Sequence, residues 1–366
     1  MKTDHRITEL RKRLDESNID VFIITNLLNI RYLTGFTGSA GTLLIASPSF
    51  SKNDHGLLCT DSRYSEQSRL QIAESNAQVE ISIGNLATQL EKSKLFAKGA
   101  LEIGIEADST SITSFNAWTQ AMERTIAPST VKVESLRQFK DEEEIDAIRR
   151  AAHIADEALA AVLPKLKSEP TEIQFAAELE FRMKMLGAEG PSFETIVASG
   201  PHSAMPHARP TERRITEGDP VVIDFGAVWE GYHSDCTRTY FLGDTLSRGF
   251  QRIYRAVEAA QQAGVEKAVL GAEASAIDTA CRDSLSAFNL EEFFTHSTGH
   301  GVGLEVHELP WIHKDSKSVL AVGDILTVEP GVYLAGEMGV RIEDTIAITE
   351  TGSERLTEIP KSPIIS

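Results

Sequence analysis

An acidic residue interrupts an apolar run at residues 221–225, which read VVIDF. Val222, Ile223 and Phe225 are typical of a buried strand, because β-branched and aromatic residues follow one another there. An uncompensated carboxylate buried in such a strand costs several kcal/mol or takes up a proton. A fold that buries Asp224 must therefore supply a cation or a proton beside it.

Two distant segments of the chain repeat this arrangement. The first reads GDPVVIDFGAVWEGYHSDCT from Gly218, and the second reads GDILTVEPGVYLAGEMGVRIEDT from Gly323. Each begins with Gly-Asp, carries an acid six residues after that glycine, and returns with a second acid two residues before a threonine. The four acids are Asp224 and Asp235 in the first segment and Glu329 and Glu343 in the second.

Both segments are interpreted as β-hairpins. If the first folds at Trp229 and Glu230 and the second near Gly336, each brings its two acids opposite each other, with β-carbons about 5 Å apart. Two carboxylates at ~4 Å repel each other by roughly 4 kcal/mol at an effective dielectric constant of about 20. Four carboxylates balance two divalent cations, and oxygen-rich ligands favour an ion such as Mn²⁺ over a thiolate-bound zinc. The repeat therefore predicts a two-metal site.

A histidine ligand is expected from residues 295–308, THSTGHGVGLEVHE. Glycines on both sides of His300 allow the backbone to approach a ligand closely and disfavour a regular helix. His300 is the predicted ligand, with His296 and His307 as alternatives. Any one of these acids taken alone is more often a solvated surface residue. The prediction therefore depends on their repetition at matched spacing.

The length of 366 residues predicts about two domains. In the first part, Ile7, Leu10 and Leu14 have helical spacing, and short apolar runs such as VFIIT and GTLLIA indicate strands. A small α/β domain is therefore expected at residues 1–133. The second domain, residues 134–366, is expected to begin just before a long amphipathic helix.

Further helices of the second domain are predicted from capping and periodicity. The segment TEIQFAAELEFRMKMLG has Thr171 and Gln174 in capping-box spacing, with Gly187 as the expected C-terminal cap. Two more helices are predicted at residues 251–268 and 275–288.

The composition restricts the partners and the compartment. A net charge of -18 argues against a general nucleic-acid grip, because phosphate binding needs a basic face. No apolar run has membrane-spanning length, and the N-terminus does not resemble a secretion signal. The three cysteines, Cys59, Cys236 and Cys281, are scattered without a paired framework, which fits a reducing compartment. A cytoplasmic protein that binds neither nucleic acid nor membrane is expected.

Four motifs in the second domain together resemble one family: VVIDFGAVWEGYHSDCTRTY, HSTGHGVGLEVHE, TVEPGVY and GVRIEDT. They are similar to the metallopeptidases of the pita-bread fold, and within these to the Xaa-Pro aminopeptidase and prolidase branch. The resemblance covers residues 139–366, and NIRYLTGFTGSAG in the first domain resembles a creatinase-type N-terminal domain. It implies an α/β (α+β) fold, with a small creatinase-like N-terminal α/β domain followed by a pita-bread catalytic domain with pseudo-twofold αβ halves.

The resemblance also implies roles for particular residues. Two metal ions are bound by Asp224, Asp235, His300, Glu329 and Glu343, of which Asp235 and Glu343 bridge the ions. The residues implied to bind substrate or to stabilise the tetrahedral intermediate are His207, His307 and Arg341, with His296 near the substrate pocket and Glu329 as proton acceptor. Arg341 has a second interpretation, as a structural partner that neutralises Glu343 two residues further on.

The implied activity is hydrolysis of the Xaa-Pro bond, which releases the N-terminal residue from dipeptides or from longer peptides with proline at the second position. The implied cofactors are two divalent ions, with Mn²⁺ expected first and Co²⁺ or Zn²⁺ as alternatives. The implied assembly is a homodimer, in which residues 32–38 are placed to close the partner's site. Dipeptidases and aminopeptidases share every residue named, so the sequence leaves that choice open.

Other functions are compatible with parts of the pattern. A creatinase-like amidinohydrolase and a non-catalytic peptide-binding relative share the fold, but both are expected to lack some of the five ligands. A methionine aminopeptidase normally lacks a domain like residues 1–133. A two-metal phosphoester hydrolase would suit the carboxylates, but the hairpins have no clustered Lys/Arg clamp beside them.

Overall fold

The computed structural model describes residues 3–53 and 55–365, and the chain forms two compact units, Met1–Arg137 and Gln138–Ser366. The boundary that the sequence predicts, between residues 133 and 134, falls just before this division. Within the described ranges, no helix is both long enough and apolar enough to cross a membrane. The three cysteines are buried free thiols.

The first unit is built on one mixed β-sheet. Its helices are α1 (Asp4–Glu16), α2 (Leu27–Thr34), α3 (Ser65–Ser75), α4 (Leu86–Phe96), α5 (Ile112–Met122) and α6 (Glu134–Arg137). Its strands are β1 (Val21–Ile24), β2 (Thr42–Ala46), β3 (Gly56–Thr60), β4 (Val79–Ile83), β5 (Ile103–Glu106) and β6 (Ile126–Ser129). The strand order is β4-β3-β2-β1-β5-β6, in which the pairs β3–β4, β1–β5 and β5–β6 are parallel.

The elements of the first unit follow the local sequence pattern. Ile7, Leu10 and Leu14 are buried in α1, as their helical spacing predicts. Every residue of β1 and β2 is buried, which explains why these strands read as continuous apolar runs. Helix α2 begins after Asn26, whose side chain accepts a hydrogen bond from the backbone N–H of Leu28.

The second unit contains longer helices and several short sheets. Its helices are α7 (Glu142–Val162), α8 (Glu172–Met185), α9 (Arg248–Lys267) and α10 (Ala274–Ser286). Its strands are β7 (Gly190–Pro191), β8 (Ile196–Ser199), β9 (Pro220–Phe225), β10 (Ala227–Trp229), β11 (Tyr232–His233), β12 (Cys236–Phe241), β13 (Gly299–Gly301), β14 (Glu308–Ile312), β15 (Ile325–Val328), β16 (Gly331–Leu334), β17 (Met338–Arg341), β18 (Asp344–Thr349) and β19 (Gly352–Arg355). A short 3₁₀ helix, Gly200–Ala204, follows β8.

The second unit has two similar halves. In one half, α7 and α8 pack against a sheet of order β12-β9-β8, with Leu159 and Ile223 in their shared core. In the other half, α9 and α10 pack against a sheet of order β14-β13-β15-β18-β19, with Ile277 and Leu326 in the core. A helix pair on an antiparallel sheet therefore occurs twice, once around each acidic hairpin.

The predicted helices of the second unit are present. Helix α8 begins with a capping box in which Thr171 and Gln174 exchange side-chain hydrogen bonds with each other's backbone, as predicted. Its C-cap is Leu186, and Gly187 follows with a φ of +106°, so the expected glycine lies one position beyond the cap. The helices expected at residues 251–268 and 275–288 are α9 and α10.

The first acidic hairpin has a different register from the predicted one. Its turn residues are Glu230 and Gly231, which have φ of +49° and +75°, the combination that a tight two-residue hairpin turn requires. Asp224 therefore pairs with Thr237 and not with Asp235. The predicted turn was one residue too early, which displaced the pairing by two positions. Because side chains alternate with a period of two, this displacement leaves both acids on the same face.

The second acidic hairpin has the predicted centre. Strands β16 and β17 pair Gly331 with Arg341, and the turn is centred on Gly336 at a φ of +75°. The adjoining strands β15 and β18 pair in the same register. One further step of that register brings Glu329 opposite Glu343, as the sequence predicts.

Candidate metal centre

One cleft in the second unit gathers the residues that the sequence predicts to act together. Its volume is about 700 Å³. The predicted residues that line it are Asp224, Asp235, His300, Glu329, Glu343, His207, His296, His307 and Arg341. The candidate ligands and the candidate catalytic residues thus face one common space.

The candidate carboxylate ligands stand at or beside the ends of strands. Asp224 lies in β9, and Asp235 directly precedes β12. Glu329 directly follows β15, and Glu343 lies between β17 and β18. Paired strands hold these backbone positions rigidly, so the carboxylates are placed before any ligand arrives.

Glycines flank His300 because neighbouring strands approach it closely. A β-carbon at Gly299 would lie 2.0 Å from the carbonyl oxygen of Thr327, and one at Gly301 would lie 2.0 Å from that of Leu309. Any other residue would push the strands apart. The glycines therefore serve the packing of β13 between β14 and β15, whereas the sequence suggested close approach to a ligand.

Three buried side chains form the centre of the cluster. Asp235, His300 and Glu343 each present one ligand atom within 4.8 Å of the others. The Nε2 atom of His300 lies 3.6 Å from Oδ2 of Asp235 and 3.4 Å from Oε1 of Glu329. Its Nδ1 lies 3.0 Å from the carbonyl oxygen of Gly301, which can only accept a hydrogen bond. Nδ1 therefore carries the proton, and the lone pair of Nε2 faces the carboxylates.

Two of the carboxylates have one oxygen held by the protein and one oxygen free. Oε2 of Glu343 accepts a hydrogen bond of 2.7 Å from Thr237, and Oδ2 of Asp224 accepts one of 2.6 Å from Arg341. Within the described chain, Oε1 of Glu343 and Oδ1 of Asp224 are buried without a donor. A buried oxygen without a donor costs about 1–3 kcal/mol. The free oxygen of each of these two acids is its inner oxygen, and the hydrogen-bonded one is its outer oxygen. Together with the other two carboxylates and the neutral imidazole, the inner oxygens form a set of ligand atoms that fits divalent cations, which would satisfy them.

The electrostatics of the cluster point the same way. Burial, reinforced by Glu343 and the other carboxylates, raises the pKa of Asp235 well above its ordinary value, and burial does the same for Glu343. Burial, with Asp224 nearby, raises the pKa of Glu329 to about 8. Burial and the neighbouring His307 lower the pKa of His300 to about 4. Protons and cations therefore compete for the same carboxylates, while the imidazole stays neutral.

Arg341 forms a direct hydrogen bond and ion pair with Asp224, whereas it bonds no oxygen of Glu343 in the described chain. Its Nη2 donates to Asp224, its Nε donates to Oγ1 of Thr237 at 3.0 Å, and its Nη1 donates to the hydroxyl of Tyr333 at 2.8 Å. Burial raises the pKa of Glu343, but the positive charge of Arg341 still acts to lower it, so the interpretation of Arg341 as a neutralising partner of Glu343 is compatible with the structure. Arg341 is the last residue of β17 and Glu343 lies just before β18, and the hydroxyl of Thr237 from the other half bonds both side chains.

Comparisons with known proteins agree with this geometry. The sequence pattern of metallopeptidase family M24 matches residues 146–350, and that of the creatinase/prolidase N-terminal domain matches residues 6–139. The chain belongs to metallopeptidase family M24. The predicted family resemblance and the predicted fold class, a creatinase-like domain followed by a pita-bread catalytic domain, are confirmed.

Relatives of this M24 chain include proteins named Xaa-Pro dipeptidase and a protein named X-Pro aminopeptidase. An Xaa-Pro dipeptidase of Pyrococcus furiosus is 35% identical over 355 residues, which cover 96% of this chain and 97% of that protein. The structure of an Xaa-Pro dipeptidase from Bacillus anthracis superposes with a TM-score of 0.93 at 38% identity and covers 99% of both chains. The structure of an X-Pro aminopeptidase from Thermotoga maritima gives a TM-score of 0.86 at 35% identity, with 97% of this chain and 99% of that chain covered.

Tyr333 is a residue of the M24 centre that sequence reasoning missed. Its hydroxyl accepts from Arg341 and lies 2.9 Å from Nε2 of His296, whose Nδ1 lies 2.8 Å from the carbonyl oxygen of Ser297. Burial lowers the pKa of His296 to about 3 and raises that of Tyr333 to about 12. The tyrosine hydroxyl therefore donates to a neutral His296. The only signal in the sequence is its place in TVEPGVY, four residues after Glu329.

The outer part of the M24 cleft contains His307 and an aromatic residue that the sequence did not mark. The ring of His307 lies 4.3 Å from that of His300 and is stacked at 6.4 Å on Trp311. The Trp311 side chain is 42% exposed at the cleft. At the rim, Nε of Arg209 forms an ion pair of 3.1 Å with Glu194. His307 thus lies between the candidate metal ligands and an apolar wall.

The remaining histidines agree with their assignment to packing or surface roles where the structure describes their contacts. His202 contacts the buried carboxylate of Glu172, and His233 contacts the hydroxyl of Ser192 at 2.8 Å. Neither lines the M24 cleft.

Proposed function

We propose that this M24 metallopeptidase hydrolyses the Xaa-Pro bond and releases the N-terminal residue from peptides with proline at the second position. The observation that carries the proposal is the cluster of four carboxylates and one neutral imidazole, in which two buried oxygens have no donor among the residues that the structure describes. The names of the relatives, Xaa-Pro dipeptidase and X-Pro aminopeptidase, support the choice of substrate.

Two divalent metal ions are the proposed cofactors, with manganese as the proposed metal. The residues that would hold them are Asp224, Asp235, His300, Glu329 and Glu343. When bound, such ions supply Lewis acidity, which polarises the scissile carbonyl and acidifies a water molecule. The donor set is rich in oxygen and has no thiolate, which supports manganese over a structural zinc site.

The side chains around the ions have separate tasks. Arg341 and Thr237 orient Asp224 and Glu343 by donating to one oxygen of each, which would leave the other oxygen free to bind an ion. His207 and His307 would donate N–H groups to the substrate carbonyl oxygen, a contribution of about 3 kcal/mol each if they behave like other oxyanion donors. Glu329 is the proposed acceptor of the proton of the attacking water.

Proline explains why a dedicated enzyme is needed. The bond before proline is a tertiary amide without an N–H group. A peptidase that must bind the N–H of the scissile bond therefore cannot hydrolyse it. The proposed centre binds the carbonyl and the free amine of the substrate and makes no use of the missing N–H. Cleavage would be restricted to the first residue, because the centre would hold the free amine of the substrate.

Assembly and compartment are also proposals. A homodimer is supported by the family resemblance alone. In the segment at residues 32–38 that was expected to close a partner's site, Tyr32 and Phe36 are buried within the first unit, and Thr37 is exposed. The three buried free thiols support a reducing compartment such as the cytoplasm. Sedimentation at two protein concentrations would measure the assembly.

The activity is tested by metal removal and restoration. Exhaustive chelation should abolish release of the first residue from Xaa-Pro and Xaa-Pro-Yaa peptides, and Mn²⁺ should restore it. An Xaa-Ala peptide is the matched control and should be cleaved poorly. The ratio of the rates on the dipeptide and the tripeptide distinguishes a dipeptidase from an aminopeptidase. Turnover that survives full metal removal would contradict the proposal, as would an Asp235→Asn variant that keeps both metal and activity.

A further inference from the structure

Both ends of the loop that carries His207 are bound by one buried carboxylate, that of Glu172. Glu172 is the first residue of α8, and its side chain is fully buried. Its Oε1 accepts hydrogen bonds of 2.7 Å from the backbone N–H and the hydroxyl of Ser199, the last residue of β8. Its Oε2 accepts bonds of 3.0 and 2.7 Å from the N–H and the hydroxyl of Thr211. The loop at residues 200–210 therefore starts and ends at the same carboxylate.

A third group from within the loop joins this carboxylate. Nδ1 of His202 lies 2.9 Å from Oε2 of Glu172, and because a carboxylate only accepts, Nδ1 carries the hydrogen. Burial opposes ionisation of Glu172, but the hydrogen bonds from Thr211, Ser199 and His202 outweigh it and lower the pKa below its ordinary value. The carboxylate is thus ionised and fully used by the loop.

The opposite side of the loop is attached to the metal centre. The backbone N–H of Gly339 donates to Oγ of Ser203 at 2.8 Å, and a β-carbon at Gly339 would lie 2.0 Å from the carbonyl oxygen of Ser203. Nη1 of Arg341 donates to the carbonyl oxygen of Pro206 at 3.0 Å. His207 follows Pro206 directly. It is therefore held between an anchor at Glu172 and an anchor on β17.

We propose that Glu172 is the positioning residue for His207. Glu172 is not among the residues that line the cleft, so it acts through the loop and not on the substrate. The ends of the loop are also held by the pairing of Ser199 with Val221 and by the bond from the N–H of Ile173 to the carbonyl oxygen of Thr211. Without the shared carboxylate these contacts alone would hold the loop, and the imidazole would sample several positions. A misplacement of ~1 Å at a reacting group costs on the order of a hundredfold in rate. This inference rests on the proposed function, because His207 matters only if it contacts the scissile carbonyl.

The test is a double-mutant cycle with His207. Glu172→Gln keeps the shape of the side chain but places an NH₂ group against N–H and O–H donors at one end of the loop. We expect it to lower kcat/KM by roughly ten- to a hundredfold, with metal content unchanged. In a His207→Ala background the same change should cost less than about threefold, because the residue it positions is already absent. Equal losses in both backgrounds would overturn the proposal.

A second readout does not depend on turnover. Hydrogen exchange of the metal-free protein should accelerate at residues 200–210 in Glu172→Gln and remain unchanged in β9 and β12. The matched control is Glu178→Gln on the same helix, which removes only a partly exposed partner of Lys165. Unchanged exchange in the loop of Glu172→Gln would overturn the proposal.

A milder variant covers the case in which Glu172→Gln fails to fold. Thr211→Val removes the hydroxyl donor to Glu172 and keeps the backbone hydrogen bond. It should therefore lower kcat/KM less than Glu172→Gln does, and His207→Ala should again reduce that loss. Additive losses in that cycle would also overturn the proposal. The wild-type protein in the same assay reports on the proposed function separately. If it does not turn over Xaa-Pro peptides while the exchange result holds, the proposed function fails and the anchoring of the loop stands.

Discussion

At the residue scale, the site depends on which oxygen of each acid the protein leaves free. Thr237 donates to Glu343 and accepts from Arg341, which in turn donates to Asp224. One threonine hydroxyl therefore links two acids that belong to different hairpins. The outer oxygens are satisfied by the chain, and the inner oxygens remain for cations.

Replacing this hydroxyl should weaken metal binding without removing a ligand. Thr237→Val has nearly the same volume but cannot donate to Glu343 or accept from Arg341. We expect a loss of roughly 10–100-fold in metal affinity, the size usual for groups that orient metal ligands. The measurement is a titration of the metal-free protein with Mn²⁺. Thr349→Val, at the far end of β18, is the control and should bind normally; equal affinities for all three proteins would contradict the expectation.

At the element scale, close strand approach explains several glycines of the motifs. A β-carbon at Gly226 would lie 1.9 Å from the carbonyl oxygen of Ser234, so the two sides of the first hairpin meet there almost without space. Gly226 follows β9 directly, one residue before β10 begins and two residues after Asp224. The glycine in VVIDFG therefore serves the hairpin that places the acids.

Gly226→Ala should destabilise the second unit and loosen the metal site together. The added methyl group must displace backbone, which costs roughly 1–3 kcal/mol in the free energy of unfolding. Gly249→Ala is the control, because a β-carbon there meets no described atom within 4 Å outside its own helix backbone and chain neighbours, and at the second position of α9 it should not destabilise the unit. Denaturant melts with and without Mn²⁺ measure both effects. If the Gly226→Ala protein is as stable as the wild type, the close approach of the hairpin strands at this position does not require glycine.

At the scale of the whole molecule, the buried acids couple stability to pH and to metal. Asp235, Glu329 and Glu343 all have pKa values raised by burial first and then by neighbouring carboxylates such as Asp224, to about 8 for Glu329. A folded-state pKa above the unfolded value means that the folded chain binds more protons. The stabilisation is complete below the unfolded pKa of about 4 and is lost as pH rises through the folded-state values.

The metal-free protein should therefore melt at a lower temperature at pH 8 than at pH 5. Added Mn²⁺ should raise the melting temperature more at pH 8 than at pH 5, because cations replace protons that have already left. Thermal melts at the two pH values, with and without Mn²⁺, measure both shifts. Asp235→Asn should flatten the pH dependence. A larger metal effect at pH 5 would contradict the assignment of these acids as ligands.

Local sequence was sufficient to predict the helices, the two acidic hairpins and the candidate ligands. The helix cap at Thr171, the buried strands and the centre of the second hairpin at Gly336 are set by neighbours in the chain. Hydrophobic periodicity, helix capping and turn formation depend on residues that are close together in the chain, and so they can be predicted from the amino-acid sequence. The register of the first hairpin was predicted wrongly because a shift of the turn by one residue changes the pairing of the strands. The turn residues are Glu230 and Gly231, which both adopt positive φ.

Contacts between residues far apart in the chain were decided only by the tertiary structure. Arg341 lies 117 residues from its partner Asp224, Thr237 lies 106 residues from Glu343, and Glu172 binds Ser199 and Thr211 across 27 and 39 residues. No periodicity connects such positions, because their distance depends on how helices and sheets pack. The sequence alone determined which side chains can hold cations. Packing of the two halves determined which oxygen of Asp224 and of Glu343 is left free, because the donors come from residues far away in the chain.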